Sequence, residues 1–340
     1  MNNFFRFLSF SIITLLITSC SKSDDPFVPI PLRDYKEQFI TDSTAIDTYF
    51  KTHRMIVSTD GKYDVTFVSS TNPNYLNVPL IRNLPPKTVL VDTIVRQNDI
   101  DYKFYFIKLT EGTQRRPTQV DSVYVNYRGF IVDDASTEFE NSVNPVWFKL
   151  QEVIPGWGYI FPNFKTGTYG SSPPNGPTFS GFGAGVMFLP SGLAYYERGS
   201  AAIPSYTPIA YSFKLCELRY RDHDRDGILS KDERTFGTLL TTKRWTVNPL
   251  NIDTDFDGVP DMFDVDDDGD NILTRVETKK IDAHVTTATN TSGSGPSLYY
   301  PFNANATETK GIPSKPVNGV SDYTSPNRLR VHLDKTYPQQ

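Results

Sequence analysis

Apolar and polar positions change their period several times along this chain, and each change marks a segment. The first is an unbroken apolar run, Phe7 to Thr18, preceded by Arg6. It is shorter than the roughly 20 apolar residues that span a bilayer as a helix, and at the start of a chain it reads as a secretory signal. Over residues 33–52, Tyr35, Phe39, Ile46, Tyr49 and Phe50 recur at near-helical spacing. This predicts one or two amphipathic helices, with Ser43 placed to cap the second. The period then drops to two. DVTFV (64–68), TVLVDTIV (88–95) and DYKFYFIKL (101–109) predict short strands, separated by the turn-rich STNPNY and NLPP. Residues 26–100 carry no assignable chemistry and read as an extension packed on the next domain. Strand-like alternation continues through Val123, Val125 and Tyr127 and returns in SFKLCEL. After residue 219 the pattern gives way to Asp-rich runs. Residues 281–340 are rich in Thr, Asn, Ser, Gly and Pro and read as irregular coil, with RLRVHLD able to pair or dock.

Composition sharpens this outline. With 38% hydrophobic and 13% aromatic residues, 340 residues suffice for two domains and some linker. The 25 prolines argue against long uninterrupted helices. The net charge of −5 is uneven: Asp222 to Glu277 holds 15 acidic and 6 basic residues, a net −9, so the remainder is +4. An acidic block inside a mildly basic chain points to a cation as partner, not to nucleic acid. The two cysteines, Cys20 and Cys216, do not read as a disulfide pair, because Cys20 has another role. Cys216, inside a strand-like run, reads as a small buried hydrophobe.

That other role comes from Ile17-Thr18-Ser19-Cys20, which resembles a lipobox. The resemblance implies that Cys20 is lipidated and becomes the first mature residue, and several acyl chains make a stable anchor. The next stretch, SKSDDPFVPIPL (21–32), is a polar, Pro-rich tether. Its Ser21–Asp25 resembles the Lys-then-acidic signal that sends some Bacteroidetes lipoproteins to the cell surface. The expected location is the outer membrane, facing the periplasm or the cell surface, held in the lipid through Cys20.

From about 103 to 219 the blocks VDSVYVNYRGF, TEFENS, VWFKLQEVIPGW, FLPSGLAYYERG and AAIPSYTPIAYSFKLCEL succeed one another, with Gly167 ten residues after Trp157. This order resembles the FKBP-type peptidyl-prolyl cis/trans isomerases. The resemblance covers about a third of the chain and implies an antiparallel sheet of five to six strands wrapped on one short helix. It also implies a site. Trp157 would be the floor of an apolar pocket, with Tyr127, Phe139, Val153 and Ile154 as walls and Ile203 and Tyr211 completing the rim. The Ile154 N–H and the Tyr195 hydroxyl would orient substrate carbonyls. The chain departs from the family at Glu140 (an Asp there), Val146 (a pocket Phe), Tyr211 (a Phe) and Tyr196 (a Gly). Pro162 should end or kink the helix, and Thr168–Phe182 reads as an inserted surface loop or a flap beside the pocket.

The acidic block carries a second chemistry. Asp222, Asp224, Asp226, Gly227, Ile228, Ser230 and Glu233 fit the twelve-residue calcium loop, with Ile228 offering its carbonyl and Glu233 both oxygens. His223 reads as a solvent-facing spacer. Asp266, Asp268, Asp270, Ile272, Thr274 and Glu277 repeat the pattern, with Asn271 in place of Gly. Between them, DTDFDGVPDMFDVDDDGD resembles a thrombospondin type 3 repeat and offers Asp253, Asp255, Asp257, Asp261 and Asp264. Such hard oxygen donors favour structural calcium over zinc or copper.

Together these readings give an α+β protein. A signal peptide (1–20) and tether (21–32) precede an N-terminal helical and β extension (33–102). An FKBP-like half-barrel (103–219), calcium-binding repeats (220–280) and an irregular tail (281–340) complete the chain. The expected function is proline isomerisation on exported polypeptide clients, with structural calcium and no organic cofactor. The alternatives are a catalytically weak FKBP-like chaperone or peptide-binding module, and a surface structural lipoprotein.

Overall fold

A computed structural model describes residues 32–84, 90–171, 176–200, 202–233, 249–285 and 298–337. The apolar run, Cys20 and all of the tether but Leu32 lie outside the described residues. Residues 34–340 group into one unit.

Of the expected one or two helices, one forms, α1 (Tyr35–Thr52). Asp34 caps it, its Oδ1 accepting from the Lys36 and Glu37 N–H groups, so the orphan amides of the first turn are satisfied. Ser43 lies in mid-helix and caps nothing. Ile46, Tyr49 and Phe50 share one face with the buried polar pair Gln38 and Asp42. Gln38 Nε2 donates to Asp42 Oδ1 at 2.7 Å. Asp42 Oδ2 accepts from both the backbone N–H and the hydroxyl of Ser191, at 2.7 and 2.6 Å. Ser191 is fully buried, so Asp42→Ala strips an acceptor from two donors that water cannot reach. We expect that variant to lose about 1–3 kcal/mol of stability. A urea midpoint unchanged from wild type would reject this account of the helix anchor.

The chain passes directly from α1 into β1 (His53–Val57), which pairs antiparallel with β2 (Val65–Ser69). HRMIV lacks a clean alternation, so β1 had no signal of its own. Six strands then form one antiparallel sheet: β3 (Leu90–Gln97), β4 (Ile100–Thr110), β5 (Ser122–Ile131), β6 (Glu138–Lys149), β9 (Gly183–Leu189) and β10 (Ile209–Arg219), in the order β3-β4-β9-β10-β5-β6. Two faces are covered, and period-two alternation sorts the side chains between them. Phe104, Phe106, Met187, Leu189, Tyr211, Phe213 and Leu215 join the core around α2 (Pro155–Ile160), with Trp157, Ile160, Phe161 and Phe164. Tyr105, Ile107, Val186, Phe188 and Ala210 join the core under α1, with Ile46, Tyr49, Phe50 and Phe67. All seven residues of β9 are therefore buried. The expected α+β class, an antiparallel sheet with few helices, holds.

α2 begins with Pro155 at a position where a missing N–H costs nothing. It passes into a 3-10 turn at Phe161–Asn163, the effect expected of Pro162. The inserted segment forms a small hairpin, β7 (Thr168–Ser171) with β8 (Pro177–Ser180). Phe179 sits against Tyr124 and Tyr169 at 5.8 and 5.7 Å, and no described residue of the hairpin lines the large cavity at the start of α2. Among the described residues, the C-terminal part consists of 3-10 turns, isolated bridges and one turn of helix, α3 (Thr274–Glu277). Ile228, Tyr300, Ile312 and Val331 form its small core. RLRVHLD thus docks through Val331, and Arg330 bridges to Ser314. Among the described residues no helix is long and apolar enough to cross a membrane.

Candidate functional site

A cavity of about 660 Å³ opens where β5, β6 and β10 meet the start of α2. Trp157, 3% exposed, lies at its base. Four rings meet the indole edge-on: Tyr127 and Phe148 at 5.2 Å, Phe161 at 5.3 Å and Tyr211 at 5.4 Å. Edge-to-face rings at this separation attract beyond their area burial. The Trp157 Nε1 is buried and has no acceptor among the described residues. Gly129, opposite Glu140 in the β5–β6 register, allows this packing. A Cβ there would sit 2.4 Å from the Phe139 ring and 2.9 Å from that of Tyr211.

Polar groups are confined to the rim. The Tyr127 hydroxyl donates to Glu140 Oε1, and the Tyr195 and Tyr211 hydroxyls stand 3.4 Å apart. Burial pushes both the Tyr127 and Tyr211 phenols above the ordinary tyrosine range, so both stay protonated donors. Cys216 is buried away from this site and its thiol is pushed up to about 11 by burial, which rules it out as a thiolate nucleophile near neutral pH.

Of the residues expected at the site, Tyr127, Glu140, Val153, Ile154, Trp157, Tyr195 and Tyr211 line the cavity. Phe139 and Ile203 do not. Phe139 stands behind Tyr211, edge-on at 5.5 Å, and Ile203 is buried in the surrounding core. The wall expected to shrink at Val146 is filled by Phe148, two residues further along β6, while Val146 is 44% exposed. Tyr35 of α1, Gln97 and Asn98 of the β3–β4 turn, and Tyr196 also line the cavity. Tyr196 adopts a left-handed φ of 45°, the conformation a glycine takes without strain. The cost is offset by stacking on Tyr35 at 4.2 Å and by the edge of Tyr206 at 5.0 Å. The tyrosine periodicity of α1 was legible, but its target was not, because Tyr35 and Tyr196 lie far apart in sequence.

The acidic block folds into three loops with one backbone plan. In each, the carboxylate at the third place accepts from the N–H at the fifth: Asp224 from Asp226, Asp255 from Asp257, Asp268 from Asp270. The fifth in turn accepts from the seventh: Asp226 from Ile228, Asp257 from Val259, Asp270 from Ile272. The fourth and sixth places are left-handed in all three: Arg225 and Gly227, Phe256 and Gly258, Gly269 and Asn271. The alternate carboxylates converge in each case (Asp222, Asp224 and Asp226; Asp253, Asp255 and Asp257; Asp266, Asp268 and Asp270), with ligand atoms within 4.8 Å of one another.

At the ninth place, Ser230, Asp261 and Thr274 accept from the second-place N–H of His223, Thr254 and Asp267. His223 is no solvent-facing spacer. Its ring bonds Ser230 Oγ and Gln151 Nε2 and packs edge-on to Phe263, which ties the first loop to the segment after β6. At the twelfth place, Glu233 and Glu277 are buried. Asp264, in the second loop, instead accepts from the Asp266 N–H.

These carboxyls are strongly perturbed. Burial, then repulsion from Asp224 and Asp226, pushes Glu233 up to about 11. Burial raises Glu277 to about 9, Asp226 to about 8, and Asp224 and Asp268 to about 6, with neighbouring carboxylates adding to each. Both oxygens of Glu233 lack any hydrogen-bond partner. Buried carboxylates are normally paired or bound to a metal, so a hard cation held by the Asp222, Asp224, Asp226 and Glu233 oxygens fits these residues.

Residues 223–311 match the family model described as BamM C-terminal. Elsewhere, 120 residues are 34% identical to the FKBP-type peptidyl-prolyl cis-trans isomerase FkpA of Aeromonas hydrophila, covering 34% of this chain and 38% of that one. The same enzyme of Escherichia coli K12 is 30% identical over 111 residues, 32% of this chain and 35% of the other. The chain thus spans little more than a third of the length of the curated relatives it matches. The crystal structure of FkpA from Escherichia coli shares 27% identity, with 34% of this chain and 48% of that one covered, at a TM-score of 0.29. About a third of the chain is therefore similar to FKBP-type isomerases at modest identity.

Proposed function

We propose that the ring-lined cavity binds proline-containing segments of exported polypeptides and speeds their cis/trans isomerisation. The observation that carries this reading is the meeting of Tyr127, Phe148 and Tyr211 on Trp157 under a rim holding Glu140 and Tyr195. Turning a prolyl peptide bond breaks amide resonance, with a barrier of about 18–20 kcal/mol, and no proton or nucleophile takes part. A site accelerates the turn by binding the twisted amide more tightly than either planar form, tenfold for each ~1.4 kcal/mol of preference. The twisted amide is less polar than the planar one, so a dry aromatic floor favours it. The pyrrolidine ring would rest on Trp157 between Tyr127 and Tyr211. The Ile154 N–H, just before the first turn of α2, would hold the carbonyl preceding proline, and the Tyr195 hydroxyl a carbonyl at the rim.

The lipobox-like Ile17–Cys20 supports a location at the outer membrane, anchored through Cys20, facing the periplasm or the cell surface. The three loops would each hold a structural calcium ion, with Ile228 and Ile272 adding backbone carbonyls. Calcium chemistry here is structural: the ion gathers carboxylates that otherwise repel.

A protease-coupled assay with an Ala-Leu-Pro-Phe peptide tests the activity. Rates indistinguishable from buffer at micromolar protein would defeat it. Tyr195→Phe removes a single orienting donor worth about 0.5–1.5 kcal/mol. We expect it to lower kcat/KM roughly three- to tenfold with an unchanged melting temperature; undiminished turnover would remove Tyr195 from the site.

A further inference from the structure

Beyond the carboxylates that the loop pattern assigns stands Asp267, at the second place of the third loop. It is 1% exposed, and neither of its oxygens has a hydrogen-bond partner. The corresponding residues of the other loops are occupied elsewhere. The His223 ring is held by Ser230 and Gln151, and the Thr254 hydroxyl donates to Asp261 Oδ2 at 2.7 Å. Asp267 is fixed by its own backbone, whose N–H donates to Thr274 Oγ1 at 3.1 Å.

The negative groups bearing on Asp267 most are Asp226, Asp261 and Asp224, and it bears in turn on Glu233, together with Asp224, Asp226 and Asp222. Glu233 is likewise 1% exposed with both oxygens unpartnered. A separate contact brings the same two loops together: Arg275, at the start of α3, donates through Nη1 to the Arg225 carbonyl at 3.1 Å. Two buried carboxylates on loops that touch through Arg275 and Arg225, neither with a hydrogen-bond donor, call for a shared cation.

We propose that Asp267 is a ligand of the first loop's ion, so that one divalent cation joins the first and third loops. The donor set becomes the carboxylates of Asp222, Asp224, Asp226, Glu233 and Asp267 with the Ile228 carbonyl, all hard oxygens and enough for the six to eight that calcium takes. The consequence is architectural. The first loop is tied to the segment after β6 through His223 and Gln151, so an ion held in common would fasten the third loop to the isomerase-like part. Without it, the two loops would hold opposed charges of the same sign.

This inference rests on the reading of the loops as calcium sites, and titration calorimetry of the full chain separates the two. Wild type, freed of calcium and titrated with calcium chloride, should show bound ions; no heat would overturn both readings. Given binding, Asp267→Asn should weaken one site at least roughly tenfold, since affinity follows ligand charge. That loss should be non-additive with Glu233→Gln and additive with Glu277→Gln. Unchanged affinity at every site, or coupling to Glu277 alone, would overturn the inference and leave the loops standing. A crystal structure of the unaltered chain grown in calcium chloride decides the matter even if the variant fails to fold. An ion about 2.3–2.6 Å from both Asp267 and Asp226 oxygens supports it. An ion in the first loop out of reach of Asp267 overturns it.

Discussion

Replacing Trp157 by alanine is expected to remove measurable isomerisation and to cost about 3–5 kcal/mol of stability, as large-to-small changes of core aromatics do. The indole touches four rings, those of Tyr127, Phe148, Tyr211 and Phe161, and it lies between the sheet and α2. Its loss opens the floor on which a proline ring would rest. It also leaves α2, six residues long and far too short to be stable alone, with one anchor fewer. The two effects separate with Trp157→Phe, which keeps most of the apolar contact. That variant should fold, with a melting temperature a few degrees lower, while kcat/KM falls by at least roughly tenfold, equivalent to ~1.4 kcal/mol. Full activity in Trp157→Phe and in whatever fraction of Trp157→Ala folds would show that proline does not sit on this residue.

Removing calcium should change stability by a similar amount, and in a pH-dependent way. At one hundred times its dissociation constant, a single bound ion stabilises the folded state by about 2.7 kcal/mol. In the calcium-free chain, Asp224 and Asp268 lie near 6, Asp226 near 8 and Glu277 near 9, all above the unfolded values of about 4. Between those limits the folded state binds more protons than the unfolded one. The stabilisation from these protonated carboxyls is complete below about pH 4 and is lost as pH rises through about 6 to 9. A calcium ion bound there would displace the same protons, so its contribution would grow over that window. With a chelator present, the melting temperature should fall between about pH 5 and pH 8; with calcium present it should hold or rise. Equal curves with and without calcium at pH 8 would sink the assignment of calcium to these loops.

Much of this molecule obeys rules that act over a few residues, and those parts were legible in the chain itself. Alternation in β4, β5 and β10 follows from the two-residue repeat of an extended backbone, and Gly129 marks the one place where Phe139 and Tyr211 crowd the strand. Pro162 ends α2 because it lacks an N–H. The three Asp-rich loops announce themselves by spacing, since each closes on its own amides within twelve residues; even Asn271 for Gly follows from the left-handed φ of 73° at that place.

Other features depend on what distant segments bring near. Nothing local in HRMIV marks β1, which exists because β2 pairs with it. Helix α1 continues through Ser43 because its apolar face is covered by Phe67, Phe130 and Phe188. Phe148 rather than Val146 reaches Trp157, and Tyr35 arrives at the cavity from α1 to stack on Tyr196. Asp267 reads in the sequence as one more acidic residue among many. Only folding buries its carboxylate and leaves it without a donor. Sequence sets hydrogen bonds and turns that close over short spans, whereas burial, and the cost of a charge left without a counterpart, is set by whatever the rest of the chain packs beside it.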